Sequence, residues 1–296
     1  MDSTTILEII TKTINTLFQN LFSSIDNNIY AILDDITFIN KDILQDNFTQ
    51  KIIGNNPHSG LLLIANSLII GFSIYYAIRY LFSEYSNSQV ERPYQFIFKL
   101  IIISIFINSS YFICEKVIEI NFYISGSIRW VGEHFSGENI SFEQLIKKIN
   151  NIFFINSTLN VFSFDGMIKS FTSIGLLNLL FSYSLRYIMI KVFILISPIM
   201  IITLLNSTTS WIFKSWMKSV FSLLFVQSLI SIILIIIFST DFLENNIFSK
   251  LIYIGSIYAL IKANTYTAHI FGGIVTDINS NLVNIKKLIK WKEKYN

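Results

Sequence analysis

The stretch Ile174 to Trp216, IGLLNLLFSYSLRYIMIKVFILISPIMIITLLNSTTSWIFKSW, constrains the chain more than any other. It is long and apolar, yet Arg186 and Lys191 lie inside it. Its 32 residues from Ile174 to Leu205 would make roughly 48 Å of straight helix against a hydrocarbon layer of about 30 Å. Two full crossings would each need about 17 or more residues and a turn between them. No turn residues occur before Ser197-Pro198, so one crossing is expected, over-long and tilted or bent near Pro198. A charge near the bilayer centre costs about 2.5–3.5 kcal/mol on insertion scales and is usually turned toward protein or water. Arg186 and Lys191 are five residues apart, hence about 140° apart around a helix, and cannot share one narrow stripe.

The rest of the chain agrees with a membrane setting. Of 296 residues, 52% are hydrophobic and only 14% charged, and the mean hydropathy is +0.56, whereas soluble domains carry about 25% charged residues. The predicted fold is all-α: a polytopic helical membrane protein with about five transmembrane helices plus amphipathic N-terminal, outer-loop and C-terminal helices. The spans are read at Leu61–Phe82, Phe96–Cys114, within Ile174–Leu205, at Val220–Phe238 and at Ile247–Lys262. Residues 1–60 form an extracytoplasmic region. Leu7, Ile10, Ile14, Leu17 and Leu21, continued by Ile25, Ile29, Ile32 and Ile36, place one apolar stripe on a helix there. Such a stripe fits a helix packed on its own subunit, one lying on the membrane, or a contact between subunits. Residues 61–114 hold the first two spans, and 115–171 read as an extracytoplasmic helical module, with Ser141-x-x-Gln144 as a capping box. Residues 172–263 hold three spans, and 264–296 a basic amphipathic tail with Lys286, Lys287, Lys290, Lys292 and Lys294.

Basic residues near the membrane mark the cytoplasmic side. Arg79, Arg92 and Lys99 flank the first loop, Lys214 and Lys218 follow the third span, and five lysines lie in the tail. The N-terminal 60 residues carry seven acids against three bases, and Asp241 and Glu244 lie in the fourth loop. With five spans the signs alternate, with the N-terminus outside and the C-terminus cytoplasmic.

No paired catalytic carboxylates, nucleophile triad, glycine-rich phosphate loop or metal-ligand spacing is present, and Cys114 is the single cysteine. Neither an enzyme nor a cofactor is expected. Asp and Glu are nearly absent from the spans, which argues against a proton-coupled pump. The candidate residues for a translocation path or subunit interface are Arg186, Lys191, Tyr183, Tyr187 and Gln227; the bland alternative is that a cation snorkels to an outer interface and Gln227 makes an interhelical contact. Ser197 and Pro198 are the candidate helix bend. Trp211, Lys214, Trp216 and Lys218 are read as an interfacial anchor or a cytoplasmic docking surface. The tail lysines suit anionic lipid, a partner ATPase or a nucleic-acid substrate.

The run LRYIMIKVFILISPIMIITLL (185–205), a polar break, and WIFKSWMKSVFSLLFVQSLISIILIII (211–237) resemble the TrbL/VirB6 family of conjugation proteins. Arg186, Tyr187, Ser197, Pro198, Trp211, Phe213, Lys214 and Trp216 carry the likeness, which covers roughly residues 174–238. It implies a cytoplasmic-membrane channel or platform subunit of a type IV secretion system. Such a subunit is homo-oligomeric, contacts membrane lipid, works with other secretion subunits including ATPases, and helps pass single-stranded DNA with its relaxase, or protein substrates. The alternative from another class is a membrane subunit of a small-solute or peptide exporter or permease, which would bind substrate at discontinuous helices near mid-membrane.

Overall fold

A computed structural model describes residues 9, 11–17, 20, 32–54, 59–86, 91–153, 164–239 and 247–276. The five tail lysines lie outside the described residues. Among those described, the chain is helical and has no strand. The helices are α1 (Asn47–Ile53), α2 (Gly60–Ser86), α3 (Pro93–Asn108), α4 (Ser110–Ser136), α5 (Phe142–Phe153), α6 (Phe164–Leu195), α7 (Ser197–Ile202), α8 (Ser210–Ser239) and α9 (Ile247–Phe271). Short 3-10 turns occupy Lys41–Leu44 and Thr203–Leu205.

Among the described residues three helices are long and apolar enough to cross a membrane: Gly60–Tyr85, Gly166–Leu195 and Ser210–Ser239. The bent pair α3 and α4 makes a fourth if counted as one span. The protein is therefore a helical membrane protein, with three or four such spans among the described residues where five were expected. The fifth expected span falls within α9, whose Lys250, Lys262 and Asn264 dilute its apolar character. The second expected span also differs. It breaks at Ser109, where α3 and α4 meet at 60°. Three polar residues, Asn108-Ser109-Ser110, sit at the corner, and the Asn108 amide donates back to the Ser104 carbonyl at 2.8 Å. Local side-chain bonding of this kind offers the backbone an alternative to straight helix. Residues 115–136, the first part of the expected 115–171 module, continue α4 alongside α8.

The buried residues show which helix is central. Of the most apolar window of α8, 61% is buried, against 11% for α2. Helices α4, α6 and α9 pack around α8. Close approach is secured by Gly132 of α4, where a side chain would run into Ile235 and Ile140, and by Gly175 of α6, set against Ile257. The α2–α3 hairpin is attached through α7, with Leu62, Ala65, Ile103 and Ile107 packed on Ile201, Ile202 and Leu205. Its outward residues, among them Ile70, Ile74, Phe98 and Ile105, are uncovered, as a lipid-facing surface requires.

Two expectations about the extramembrane parts have a definite outcome. The capping box forms on its first limb: the Gln144 amide donates to Ser141 Oγ at 3.2 Å. The start of α5 is also capped from far away, because the amides of Phe142 and Glu143 donate to the Asp34 carboxylate at 3.1 and 3.3 Å. Burial holds the Asp34 carboxyl above its usual range, partly offset by those two amides. The second outcome concerns the segment 32–54, which packs on its own chain, one of the alternatives the apolar stripe left open. Leu33 and Phe38 join the core of α5, α6, α8 and α9, while Ile39, Ile43 and Leu44 join that of α4, α6 and α8. It acts as a strap seated among the helices.

Candidate functional site

The buried stripe of α6 runs Leu176, Leu179, Tyr183, Arg186, Ile190, Ile194. That spacing follows the 3.6-residue period, so Arg186 occupies a core position in an otherwise apolar series. Its side chain is 0% exposed. Nε donates to the Leu223 carbonyl at 2.8 Å and Nη1 to the Thr37 carbonyl at 3.0 Å. Nη2 has no hydrogen-bond partner. Leu223 stands 13 residues from the start of α8 and 16 from its end, so the contact lies near the middle of the central helix. The strap therefore reaches mid-bundle.

The two acceptors differ. Leu223 is inside α8, where the amide four residues on already serves its carbonyl. Thr37 closes the helical segment 32–37, where the Phe38 amide donates back to Asp34 at 2.8 Å. Its carbonyl is one of the last of a helix, without an intrahelical donor and at the negative end of the peptide dipoles. A guanidinium suits that position: its planar fork reaches two carbonyls at once and it is less strongly hydrated than an ammonium.

These contacts place Arg186 inside a single subunit. Its own strap and α8 enclose it. Lys191 is turned away, as the 140° offset requires, and is partly exposed. Its Nζ lies 3.9 Å from Asp46 Oδ2 and 5.5 Å from the centre of the Tyr187 ring. Asp46 is held below the usual carboxylate range, first by the Thr49 hydroxyl and then by Lys191. Arg186 and Lys191 thus both meet the strap, one through a carbonyl and one through a carboxylate.

The neighbouring polar groups are also engaged within the chain. The Tyr183 hydroxyl donates to the Leu260 carbonyl at 2.8 Å, and Asn264 Nδ2 to Ser182 Oγ at 2.8 Å, so α6 is fastened to α9. Tyr187 does not join Tyr183; it packs against the second core with Met189 and Phe193. Gln227 ties α8 to α4: Asn121 Nδ2 donates to Gln227 Oε1 at 3.1 Å, and Gln227 Nε2 donates to Ser125 Oγ at 2.8 Å. Ser231 Oγ extends the link to the Ser125 carbonyl at 3.3 Å. The structure makes Gln227 an interhelical contact rather than a group facing a path.

The Ser197-Pro198 step falls where expected. Helix α6 ends at Leu195, α7 begins at Ser197, and both residues of the step are buried. The proposed anchor divides. Trp211 is 65% exposed and Lys214 and Lys218 are exposed. Trp216 is only 7% exposed, and its indole N–H donates to the Phe193 carbonyl at 3.0 Å. It clasps α8 to the end of α6.

Several partners were not foreseen. Asn121 and Ser125 stand one turn apart on α4, facing Gln227 and Ser231 on α8; polar residues at four-residue spacing in apolar helices are the signal that could have paired them. Arg129, whose guanidinium carbon lies 3.9 Å over the Phe38 ring, had no such signal. Among the described residues no group of three or more His, Cys, Asp or Glu comes together. Compared with known proteins, the chain matches no family model and no curated protein.

Proposed function

We propose that the protein is a platform or channel subunit of a type IV secretion system in the cytoplasmic membrane. In this reading its N-terminus is outside and its C-terminus cytoplasmic, and it acts as a homo-oligomer with partner ATPases to pass relaxase-bound single-stranded DNA or protein substrates. One observation carries it: Arg186, Ser197, Pro198 and Trp216, four of the residues that carry the TrbL/VirB6 resemblance, are buried in a packed joint, while Trp211 and Lys214 stay exposed. Arg186 fastens α6 to α8, the chain breaks at Ser197-Pro198, and Trp216 closes back on Phe193. The uncovered α2–α3 hairpin leaves apolar surface for lipid or neighbouring copies. Because Arg186, Tyr183 and Gln227 are bonded within one chain, a conduit between copies fits this reading better than one lined by these three residues.

The exporter reading is favoured by a separate observation, the two interrupted helices at Ser109 and Ile196. One experiment divides the two. Under the secretion reading, in-frame deletion in the native host abolishes conjugative transfer or protein export, plasmid-borne wild type restores it, and the tagged protein co-isolates secretion ATPases as an oligomer. Undiminished transfer in the deletion strain, with solute flux through the purified protein in liposomes, rejects it.

A further inference from the structure

A cavity of about 120 Å³ opens at the far end of α2, walled by α2, the start of α3 and the turn after Leu205. That is far more than the roughly 10–15 Å³ needed to hold a water. Its floor is fixed: the Tyr76 ring stacks on Phe96 with centroids 3.8 Å apart, and the Tyr76 hydroxyl donates to the Glu91 carbonyl at 2.6 Å. Arg79 and Glu91 both line the cavity but form no ion pair with each other. Among the described residues the Arg79 side chain makes no ion pair or hydrogen bond, and the Glu91 carboxylate has only a long contact to Lys99, at 3.5 Å. A cation and an anion thus border one space without pairing with each other.

Depth along the helix indicates what fills it. Arg79 lies 19 residues past Gly60, roughly 28 Å along the helix, which is the thickness of a hydrocarbon layer. Tyr75, Tyr76, Tyr80, Tyr85 and Tyr94 gather at the same end, as aromatic residues do at headgroup level. Exposed Ile78 and Ile97 continue away from the cavity as surface for acyl chains.

We propose that this cavity seats a zwitterionic phospholipid headgroup bearing a phosphate and a primary ammonium, of the phosphoethanolamine type. Arg79 takes the phosphate, with the Asn206 side chain at the cavity edge, and Glu91 takes the ammonium beside the Tyr75 ring. A glycerol headgroup offers Glu91 no cation, and a trimethylammonium offers it no N–H donor.

The test is native mass spectrometry of the purified protein washed in detergent with equimolar phosphatidylethanolamine, phosphatidylglycerol and phosphatidylcholine. One phosphatidylethanolamine per subunit is retained, favoured by about tenfold or more, as expected for one charge-assisted hydrogen bond. Arg79→Gln lowers retention of all three lipids. Glu91→Gln removes the preference for phosphatidylethanolamine over phosphatidylglycerol while leaving phosphatidylglycerol retention in place. Both side chains are exposed, and an unchanged thermal transition of each variant verifies the fold. Equal retention of phosphatidylglycerol and phosphatidylethanolamine by the wild type, or an undiminished preference in Glu91→Gln, overturns the proposal. O-phosphoethanolamine and inorganic phosphate distinguish a lipid from a soluble ligand. No displacement of the lipid at millimolar concentration supports the lipid assignment, whereas full displacement with the same dependence on Arg79 and Glu91 overturns it in favour of a soluble phosphate.

Discussion

Replacing Arg186 by methionine keeps an unbranched stem and removes the guanidinium, so it isolates what the charge does for the strap. Two hydrogen bonds disappear, to Leu223 and to Thr37. Hydrogen bonds from charged donors contribute about 1.5–3 kcal/mol each, and burying the charge without a carboxylate costs several kcal/mol, so for the bundle the two changes roughly cancel. They do not cancel for the strap. The Leu223 carbonyl keeps its place in the α8 ladder, but the Thr37 carbonyl becomes a buried orphan, which costs about 1–3 kcal/mol. The expected result is an intact bundle whose strap opens more easily, by about 2 kcal/mol, or roughly 30-fold in the open population. The assay places a cysteine at Ile39, which is 1% exposed, in a Cys114→Ser background and follows maleimide labelling beside the thermal transition. Arg186→Met should label roughly 30-fold faster with little change in the transition. Labelling no faster than in the Arg186 parent would refute the idea that the guanidinium holds the strap.

Three further outcomes follow from other contacts. Gln227→Leu leaves the Asn121 amide without its partner in the α4–α8 seam and should cost about 1 kcal/mol in detergent unfolding; adding Asn121→Leu should recover much of it. Trp216 should supply the bluest, least acrylamide-quenched part of the tryptophan emission and Trp211 a quenchable part, so Trp216→Phe and Trp211→Phe should shift the spectrum and the quenching in opposite senses. Asp46 is held below its ordinary value by Thr49 and Lys191, so its contribution is present above about pH 4 and fades as pH falls through the lowered value. Hydrogen exchange at residues 41–54, corrected for intrinsic rate, should therefore quicken in acid, and Asp46→Asn should flatten that response. Asp34 has the opposite sign, because burial raises it: its contribution is greatest in acid and is lost as pH rises through the raised value.

Much of the architecture could be read before the structure, for reasons that also mark where reading stopped. An uncharged run such as Val220–Phe238 can only be a buried or lipid-facing helix, and the five-residue offset of Arg186 and Lys191 already separated them around α6. The Ser197-Pro198 break follows from the chemistry of proline. The 60° corner at Ser109 was hidden because Asn-Ser-Ser is tolerated in a straight helix, and only packing decides whether its side chains turn on the backbone. The stripe through Ile32 and Ile36 shows that one face is covered but not by what, so a strap inside the bundle and a helix on the membrane look alike. The partners of Arg186 were invisible for a plainer reason: they are main-chain carbonyls, which every residue possesses. The contact of Trp216 was hidden in the same way, since its indole N–H meets the main-chain carbonyl of Phe193.

The central claim is that each subunit shelters the cationic face of its own long helix with its own strap. A benzophenone photoprobe in place of Phe38 tests this most directly. The Phe38 ring lies 6.2 Å from that of Phe142 and beneath the Arg129 guanidinium. Irradiation in native membranes should give an intramolecular adduct mapped to residues 129–142, with the protein still migrating as a monomer. A cross-linked dimer, or adducts to lipid alone, would contradict it.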